Sequence, residues 1–415
     1  AAAALAAASG QQMPANGRLT ANLVHACENL ADHLTHFYAF FMPDFARAAY
    51  HGQRWHAEIA TRFKAASGEA LREVLPARAD LLRLMGYLAG KWPHSLALQP
   101  GGTTRAVTAT EKVRLLAILR EFRAFLSATV FGDTLEAVAA LATVAQLDAW
   151  AAGRTADLPR FLTIAADLGL AQLGRASDVF LSYGAYSEGG SDGAALFAAG
   201  IWAGSRADLD EKLISEDVTR AWLCGDRPRH PLQGETRPLT AAFGEKPAAY
   251  TWCKAPRYAG QVVETGALAR QMVAGHPLVR ALVAAAGGSV LARVVARLLE
   301  LALVVPAMER WVHALAPGQP FCEPWRLPDR ASGVGLVEAA RGALGHWILI
   351  ESGKIAAYQI IAPTTWNFSP RDAAGVPGAL EQALVGTPVG EQENVPLAVQ
   401  HVVRSFDPCM VCTVH

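Results

Sequence analysis

Apolar side chains in the first part of the chain recur every three or four residues, the spacing that predicts amphipathic α-helices. The clearest stretch, residues 18–41, aligns on one face Leu23, Cys27, Leu30, Leu34, Phe37 and Phe41. Pro43 ends it, because the residue before a proline avoids the α conformation. The same spacing predicts further helices over about residues 46–67, 70–89, 110–129, 134–153, 266–273, 277–315 and 380–385 and from 396 onward.

A smaller part of the chain has strand and loop character. Residues 179–186 predict a short strand, and residues 345–352 and 355–362 predict two strands joined by a turn at Gly353-Lys354. Residues 227–247 are rich in Pro, Gly and Thr and predict an exposed loop. The predicted fold class is therefore mainly α with small β insertions, built as one large helical-bundle domain over residues 1–415.

The composition narrows the functional classes. Hydrophobic residues make up 52% of the chain and charged residues 18%, so much surface must be buried in the core or against a partner. The formal net charge of zero argues against nucleic-acid binding, which needs excess positive charge. The longest apolar region, residues 281–308, carries Arg293, Arg297 and Glu300, and charges are costly inside a membrane. We expect a buried helix there, and no membrane span.

The cysteines and the N-terminus suggest where the protein works. Four of the six cysteines are scattered singly, unlike a secreted disulfide framework, which predicts a reducing, cytoplasmic location. The opening AAAALAAASG lacks the basic and apolar regions of a signal peptide. It resembles a helix without a cap or an initiator methionine, so we expect the N-terminus to be incomplete.

The candidate chemistry is concentrated at the C-terminus, which reads DPCMVCTVH from Asp407 to His415. Cys409 and Cys412 are spaced so that one helical turn could direct both thiols to one metal, with His415 on the same face. Zinc, iron and nickel all suit such thiolates, and a zinc knuckle, a redox dithiol or a buried core pair are alternatives. A zinc site needs four ligands, however, and the sequence has no second knuckle.

This DPCxxCxxH ending resembles the C-terminal signature of the large subunits of NiFe hydrogenases. The resemblance implies that Cys409 and Cys412 bind nickel in a Ni-Fe(CN)2(CO) centre, one of them bridging to iron. It implies that His415 binds a Mg or Fe ion nearby. It also implies that the C-terminal extension of that family was removed or never made.

A second motif, EAARGALGHW over residues 338–347, resembles the family's EAPRGALGHW. It implies that the guanidinium of Arg341 lies over the iron, where a fixed cation can polarise H2 or hold a proton acceptor. Taken alone, such an arginine is more often part of a surface ion pair. Ala340 replaces the family's proline, which changes the packing beside the diatomic ligands of the iron.

A third motif, IAPTTWNFSPRD over residues 361–372, is similar to the family's VPTTWNxSPRD. It implies that Thr364 donates a hydrogen bond to an iron cyanide and that the carbonyl of Ile360 binds the second metal. Outside this motif, a threonine would be interpreted as a turn or capping residue.

A fourth motif, DHLTHFY over residues 32–38, resembles the family's DHxxHFY. It implies that Asp32 pairs with Arg341, and we expect Asp407 to hold Arg341 from the other side. The alternative is a solvated Asp32 that contacts His36 along its own helix.

One part of the family pattern is absent from this sequence. The family carries an RxCGxCxxxH segment before the region like residues 1–50, and this segment supplies two further nickel thiolates. Cys27, Cys224 and Cys322 lack the spacing to replace it. We therefore also weigh an apo or truncated subunit without activity.

The continuation of the fourth motif suggests the kind of hydrogenase. The family usually reads HFYHL, where the leucine lines the gas channel, whereas this chain has Phe40. A phenylalanine there resembles the H2-sensing regulatory hydrogenases, although it could simply fill the core. The predicted function is binding and heterolytic cleavage of H2, with the proton taken by a nickel thiolate or by Arg341, in a cytoplasmic H2 sensor.

The implied partners are a small subunit with Fe-S clusters and, for a sensor, a histidine kinase. A respiratory uptake hydrogenase is the main alternative. The related quinone-reductase subunit of respiratory complexes lacks the nickel cysteines, so Cys409 and Cys412 argue against it.

Overall fold

The computed structural model describes residues 1–189, 194–240, 246–390 and 396–409. Its helices are α1 (Ala2–Ser9), α2 (Ala15–Thr35), α3 (His56–Phe63), α4 (Glu69–Ala89), α5 (Ala109–Phe125), α6 (Leu135–Ala139), α7 (Val144–Ala151), α8 (Asp157–Asp167), α9 (Ala267–Ala274), α10 (Pro277–Ala286), α11 (Val290–Ala314), α12 (Pro363–Asn367), α13 (Ala379–Leu384) and α14 (Leu397–Ser405). Its strands are β1 (Leu98–Gln99), β2 (Gly102–Thr103), β3 (Phe180–Ser187), β4 (Ala195–Trp202), β5 (Arg206–Ala207), β6 (Ile214–Asp217), β7 (Ala255–Tyr258), β8 (Arg330–Ala339), β9 (Gly342–Glu351) and β10 (Lys354–Ile361).

The strands form small antiparallel sheets around the helical core. Two sheets have three strands, in the orders β10-β9-β8 and β3-β4-β5, and two have two strands, β1-β2 and β6-β7. In the β10-β9-β8 sheet, β8 and β9 are joined by a tight turn at Ala340-Arg341, with Ala339 paired to Gly342. This turn is what carries Arg341 to the site described below.

Helices α2 and α11 pack against each other in the main hydrophobic core, which extends from Leu19 to Phe406. The hydroxyl of Ser289 caps α11 by accepting a hydrogen bond from the Ala292 amide. Most of α11 is buried, including the charged residues that argued against a membrane span. Over the described residues, no helix is long and apolar enough to cross a membrane.

Burial of charge in this core is possible because the charges are paired. Glu300 of α11 accepts hydrogen bonds from Nε and Nη2 of Arg270 at 2.8 Å each, and its Oε2 lies 2.8 Å from His33 Nε2. Arg270 also donates to Glu338 Oε2 at 2.9 Å and to the Ala340 carbonyl at 3.1 Å. The network thus ties α2, α9 and α11 to the β8–β9 turn.

The last helix is fixed by a buried histidine. His401 of α14 stacks on Phe45, with ring centroids 4.7 Å apart, and its Nε2 lies 2.6 Å from the hydroxyl of Tyr50. Burial, followed by the charges of Arg404 and Arg47, lowers the pKa of His401 to about 4. The neutral imidazole is therefore the form that holds α14 in place at neutral pH.

The helices predicted from apolar spacing are found, but several are divided. The stretch predicted as one helix over residues 277–315 is interrupted between α10 and α11, where Gly287 has a φ of 77°. Apolar residues continue on both sides of that break, so their spacing does not reveal it. The helix predicted over residues 134–153 is likewise two helices, and residues 46–67 contain only α3 and a short 3₁₀ turn.

The helix predicted over residues 18–41 changes its winding before it ends. After Thr35 it continues as a π-helix over His36–Phe41 and then as a 3₁₀-helix over Met42–Ala46. A π-helix is rare and often occurs at functional sites. Here it turns the side chain of Phe40 away from the core.

The strand content is larger than predicted. Strand β8 was missed because it contains Gly333 and Gly335, which weaken the alternation of apolar and polar residues. Both glycines let α1 approach closely, since a Cβ at Gly333 would come within 2.1 Å of the Ala4 carbonyl oxygen. Strands β4 to β7 were also missed, so a helical bundle with small β insertions understates the sheets. The single domain over residues 1–415 stays a prediction.

Replacing Arg270 with methionine tests the buried ion network. Arg270→Met leaves Glu300 and Glu338 buried without their cation, which should lower the free energy of unfolding by about 3–5 kcal/mol. Chemical denaturation measures this loss. Arg310→Met is the control, because Arg310 and Glu188 lie 3.6 Å apart on the surface, where such a pair contributes about 0–1 kcal/mol. Losses of equal size in the two variants would contradict the account.

The depressed pKa of His401 predicts a pH dependence of stability. The unfolded chain takes up a proton near pH 6.5 and the folded chain only near pH 4, so stability is full above pH 6.5 and falls as the pH drops toward 4. At ~1.4 kcal/mol per pKa unit the loss is about 3 kcal/mol. His401→Gln should flatten the unfolding free energy over this window by that amount. The exposed His51→Gln should behave like the unmodified protein, and an identical profile for His401→Gln would refute the prediction.

Candidate functional site

A short segment without regular structure, residues 406–409, follows α14, and we call it the strap. It carries Cys409, the first candidate metal ligand. The helix ends at Ser405, and Asp407 adopts a left-handed conformation with a φ of 56°. Helix α14 therefore ends before Pro408, since the residue before a proline avoids the α conformation. The helical turn predicted between Cys409 and Cys412 falls almost wholly outside the described residues and stays a prediction. Cys412 and His415 lie outside the described residues.

Arg341 lies at the turn between β8 and β9 and is held between two carboxylates. Its Nη2 lies 3.1 Å from Asp32 Oδ1, and its Nε lies 3.4 Å from Asp407 Oδ1. Nε also donates to the Asp407 backbone carbonyl at 3.1 Å. The structure thus brings together three residues that the sequence motifs placed at one site.

The turn has its shape because Gly342 follows Arg341. Gly342 has a φ of 134°, and a Cβ on it would come within 2.4 Å of the Thr265 hydroxyl. Ala340, on the other side, is buried and its carbonyl accepts the hydrogen bond from Arg270. Backbone constraints on both sides therefore fix the direction in which Arg341 points.

The two carboxylates of the site both stabilise the charge of Arg341 but repel each other. Burial alone would lower the pKa of Arg341, but the carboxylates of Asp407 and Asp32 outweigh it and raise that pKa. Burial, followed by the charge of Asp407, raises the pKa of Asp32. Within the described part of the chain, Oδ2 of each aspartate is buried without a hydrogen-bond partner. The site therefore holds a permanent cation with spare acceptor atoms beside it.

The buried guanidinium of Arg297 lies close to Arg341 and its two aspartates. Arg297 was not predicted as a site residue. Arg297 of α11 donates from Nη2 to the Ser405 carbonyl at 3.2 Å. Its pKa is lowered by burial, against the charges of Asp407 and Asp32. The only indication in the sequence is an arginine inside a largely apolar stretch.

Thr364 lies next to the strap. It is buried in α12, and its Oγ1 accepts a hydrogen bond from the Cys409 amide at 3.3 Å. A hydroxyl that accepts one bond keeps its own proton to donate. Ile360, four residues earlier, lies on β10 opposite His346, and the metal-binding role of its carbonyl stays a prediction.

A cavity of about 710 Å³ leads to these residues. Arg341, Asp407 and Cys409 line one side, and Phe40 and the α14 residue Val403 contribute apolar walls. The side chain of Phe40 is 49% exposed, whereas its neighbours Phe37 and Phe41 belong to the core. The walls suit a small uncharged molecule better than an ionic one.

The residues present fit a thiolate-bound metal group with outer ligands that accept hydrogen bonds. Cys409 offers a soft thiolate donor and lines the same cavity as the guanidinium of Arg341. The hydroxyl of Thr364, which accepts from the Cys409 amide, keeps its own proton to donate. Among the described residues, no group of three or more His, Cys, Asp or Glu side chains could by itself hold a metal ion. A complete ligand set therefore has to draw on residues beyond Cys409, such as Cys412 and His415.

Comparison with known proteins gives matches over most of the chain. The family model for nickel-dependent hydrogenase matches residues 69–415. The periplasmic NiFeSe hydrogenase large subunit of Desulfomicrobium baculatum is 29% identical over 98% of this chain and 80% of its own length. The hydrogenase-2 large chain of Escherichia coli K12 is 29% identical over 83% of this chain and 64% of its own length.

A further relative matches a shorter region more closely. The uptake hydrogenase large subunit of Rhizobium leguminosarum bv. viciae is 35% identical over 50% of this chain, and the match covers 41% of that protein. For this relative and for the E. coli protein, the matched region spans less than two thirds of the relative's length.

Solved structures show the same fold. The Ni-Fe-Se hydrogenase from D. vulgaris Hildenborough in the reduced state superposes on the whole of this chain with a TM-score of 0.83 and 28% sequence identity, over 85% of that chain. A reduced, active form of the Ni-Fe-Se hydrogenase from Desulfomicrobium baculatum gives 0.81 and 27%. The chain therefore belongs to the nickel-dependent hydrogenase family, whose large-subunit fold it has, and is an oxidoreductase that acts on H2.

Proposed function

We propose that this chain splits H2 heterolytically into protons and electrons at the cavity that Arg341 and Cys409 line. The observation that supports this most strongly is the guanidinium of Arg341, fixed by Asp32 and Asp407 at a cavity with apolar walls. H2 is a small, uncharged molecule. A preorganised cation beside the reacting bond stabilises the charge that develops as the bond breaks.

We propose a nickel–iron group at this site, held by Cys409 and Cys412. When bound, such a group acts as a Lewis acid and accepts the electrons of H2. Thr364 would donate a hydrogen bond to a cyanide ligand on its iron, and the guanidinium of Arg341 would lie over that iron. We further propose that His415 and the carbonyl of Ile360 hold a Mg or Fe ion nearby.

The charges around Arg341 indicate which group takes the proton released from H2. Arg341 is held in its charged form by its two carboxylates, so it is a poor proton acceptor. Oδ2 of Asp32 is buried, unpaired within the described residues, and part of a carboxyl whose pKa is raised. We therefore propose a metal-bound thiolate as the proton acceptor, with Asp32 holding the guanidinium of Arg341 in place.

The electrons have to leave through another subunit. The described cysteines lie singly along the chain, without the spacing that an Fe-S cluster requires. The relatives are named as large subunits or large chains. We propose that this chain pairs with a small subunit that carries Fe-S clusters.

Two biological roles are candidates for this chain, an uptake hydrogenase and an H2 sensor. The relatives are named as periplasmic and uptake hydrogenases, which favours oxidation of H2 for energy. The second candidate is a cytoplasmic H2 sensor, favoured by Phe40 in the lining of the cavity. The relatives give no support to a histidine kinase as partner. A high rate of H2 oxidation would favour the uptake role, and co-purification with a kinase would favour the sensor.

Replacing Arg341 with lysine tests the proposed role of its guanidinium. Lysine keeps the charge but cannot bond to Asp32 and Asp407 together in the same planar geometry. We expect Arg341→Lys to lower the rate of H2 oxidation by about 10²–10³-fold, as for loss of a preorganised donor. H2-dependent dye reduction, normalised to nickel content, measures the effect.

The matched control for this test is Arg330→Lys. Arg330 lies on the same hairpin, but it is exposed and lies 3.8 Å from Glu351 on the surface. It should keep the unmodified rate. An Arg341→Lys protein with full nickel and an undiminished rate would rule out the proposed role of Arg341.

A further inference from the structure

Helix α11 carries three buried charged side chains on one helical face, Arg293, Arg297 and Glu300. Two of them are balanced by a partner of opposite charge. Arg293 forms an ion pair with Glu264 at 2.7 Å, and Glu300 forms one with Arg270 at 2.8 Å. Arg297 is only 5% exposed, and no carboxylate among the described residues lies within ion-pair distance of it. A buried cation is costly unless anions balance it, so the anions that balance Arg297 have to lie further away.

The anions that favour the charged form of Arg297 are the two aspartates of the site. Burial lowers the pKa of Arg297, and the charges of Asp407 and Asp32 oppose this shift most strongly. Nη2 of Arg297 donates to the Ser405 carbonyl at 3.2 Å, two residues before Asp407. Helix α2, which carries Asp32, packs against α11. Arg297 therefore acts on the same two carboxylates as Arg341, but from a different element of the fold.

Arg297 supplies a positive charge that the two aspartates otherwise lack. Asp32 and Asp407 share the single guanidinium of Arg341, so two negative charges meet one positive charge. The carboxylates disfavour each other, since burial and then the charge of Asp407 raise the pKa of Asp32. With Arg297 the group contains two cations and two anions. Its charges then balance within the protein.

The hydrogen-bonding atoms of this group agree with the count of its charges. Among the described residues, Nε and Nη1 of Arg297 are buried without a hydrogen-bond partner, and so is Oδ2 of both Asp32 and Asp407. Buried polar atoms are almost always bonded, to protein or to ordered water. Two donors of the cation and two acceptors of the anions can therefore satisfy one another, directly or through a water.

We propose that Arg297 is a positioning residue for H2 cleavage: it supplies the second positive charge that keeps Asp32 and Asp407 together at Arg341. Arg297 acts through the two carboxylates and does not touch the reacting atoms. Its hydrogen bond to the Ser405 carbonyl also ties the strap to α11. The expected effect on turnover rests on the proposed function, whereas the balance of charges can be tested without metal.

The first test compares Arg297→Met with Arg293→Met in the metal-loaded protein with its partner subunit. Both arginines are buried on α11 and both bond to Ser405, Arg293 through the hydroxyl at 3.3 Å. Arg293, however, is balanced by Glu264. We expect Arg297→Met to lower the rate of H2 oxidation per nickel about 10–100-fold, the equivalent of a lost charge-assisted interaction. Arg293→Met should lower it much less, whereas a role confined to holding α14 would make the two variants alike.

Arg297→Lys separates the charge of this residue from its shape. Lysine keeps the positive charge on a side chain of similar length. Because the proposed role of Arg297 is to balance charge, Arg297→Lys should recover most of the rate that Arg297→Met loses. A rate in Arg297→Lys as low as that in Arg297→Met would overturn the proposal, as would equal losses in Arg297→Met and Arg293→Met.

A readout that needs neither metal nor turnover is the coupling between Arg297 and Asp32 in unfolding, measured by chemical denaturation of the protein with its partner subunit. Arg297→Met leaves two carboxylates for one guanidinium, and adding Asp32→Asn leaves one for one. We expect the increase in the unfolding equilibrium constant caused by Arg297→Met to be about tenfold smaller in the Asp32→Asn background. The increase caused by Arg293→Met should be the same in both backgrounds.

The coupling decides between the possible outcomes. Equal effects of Arg297→Met in the two backgrounds would contradict the proposal. If Arg297→Met alone does not fold, the proposal requires that Asp32→Asn restores its folding, and a double variant that stays unfolded would overturn it. Coupling of the expected size, in a protein that contains nickel but does not oxidise H2, would instead count against the proposed function alone.

Discussion

The ion pairs of Arg341 are the interaction on which the rest of the site depends. A cation that is partly buried is stabilised where anions and hydrogen-bond acceptors surround it. Here the anions come from α2 and from the strap after α14, which are far apart in sequence. The long-range packing of α2, the β8–β9 turn and the strap therefore places both anions at Arg341, beside the cavity that Cys409 lines.

The buried ion network around Arg270 supports the ion pairs of Arg341. Arg270 holds the carboxylate of Glu338 and the carbonyl of Ala340, directly before Arg341 in sequence. It is itself held by Glu300, which also binds His33. His33 adjoins Asp32 on α2, so this helix contributes both to the Arg270 network and to the ion pairs of Arg341. The charged residues of α11, which excluded a membrane span in the sequence, thus serve to hold the site.

The sequence was a good guide to which residues meet and a poorer guide to how the backbone brings them together. The motifs predicted the pairing of Asp32 and Arg341, and apolar spacing predicted the bodies of α2, α4, α9 and α13. The π-helix at Phe40, the end of α14 before Cys409 and the glycine-containing strand β8 were not predicted. The π-helix depends on contacts with distant residues, such as the hydrogen bond that Arg404 donates to the Phe40 carbonyl, which local periodicity does not record. The other two follow from Pro408 and from the glycines of β8, which interrupt the apolar pattern.

The most direct test of the central claim, that the residues around Cys409 hold a nickel–iron group, is infrared spectroscopy of the purified protein with its partner subunit. We expect absorption bands from CO and cyanide bound to iron, in protein that contains about one nickel per chain. A folded protein with neither these bands nor nickel would contradict the claim, and the arrangement of Asp32, Arg341 and Asp407 would then need another explanation.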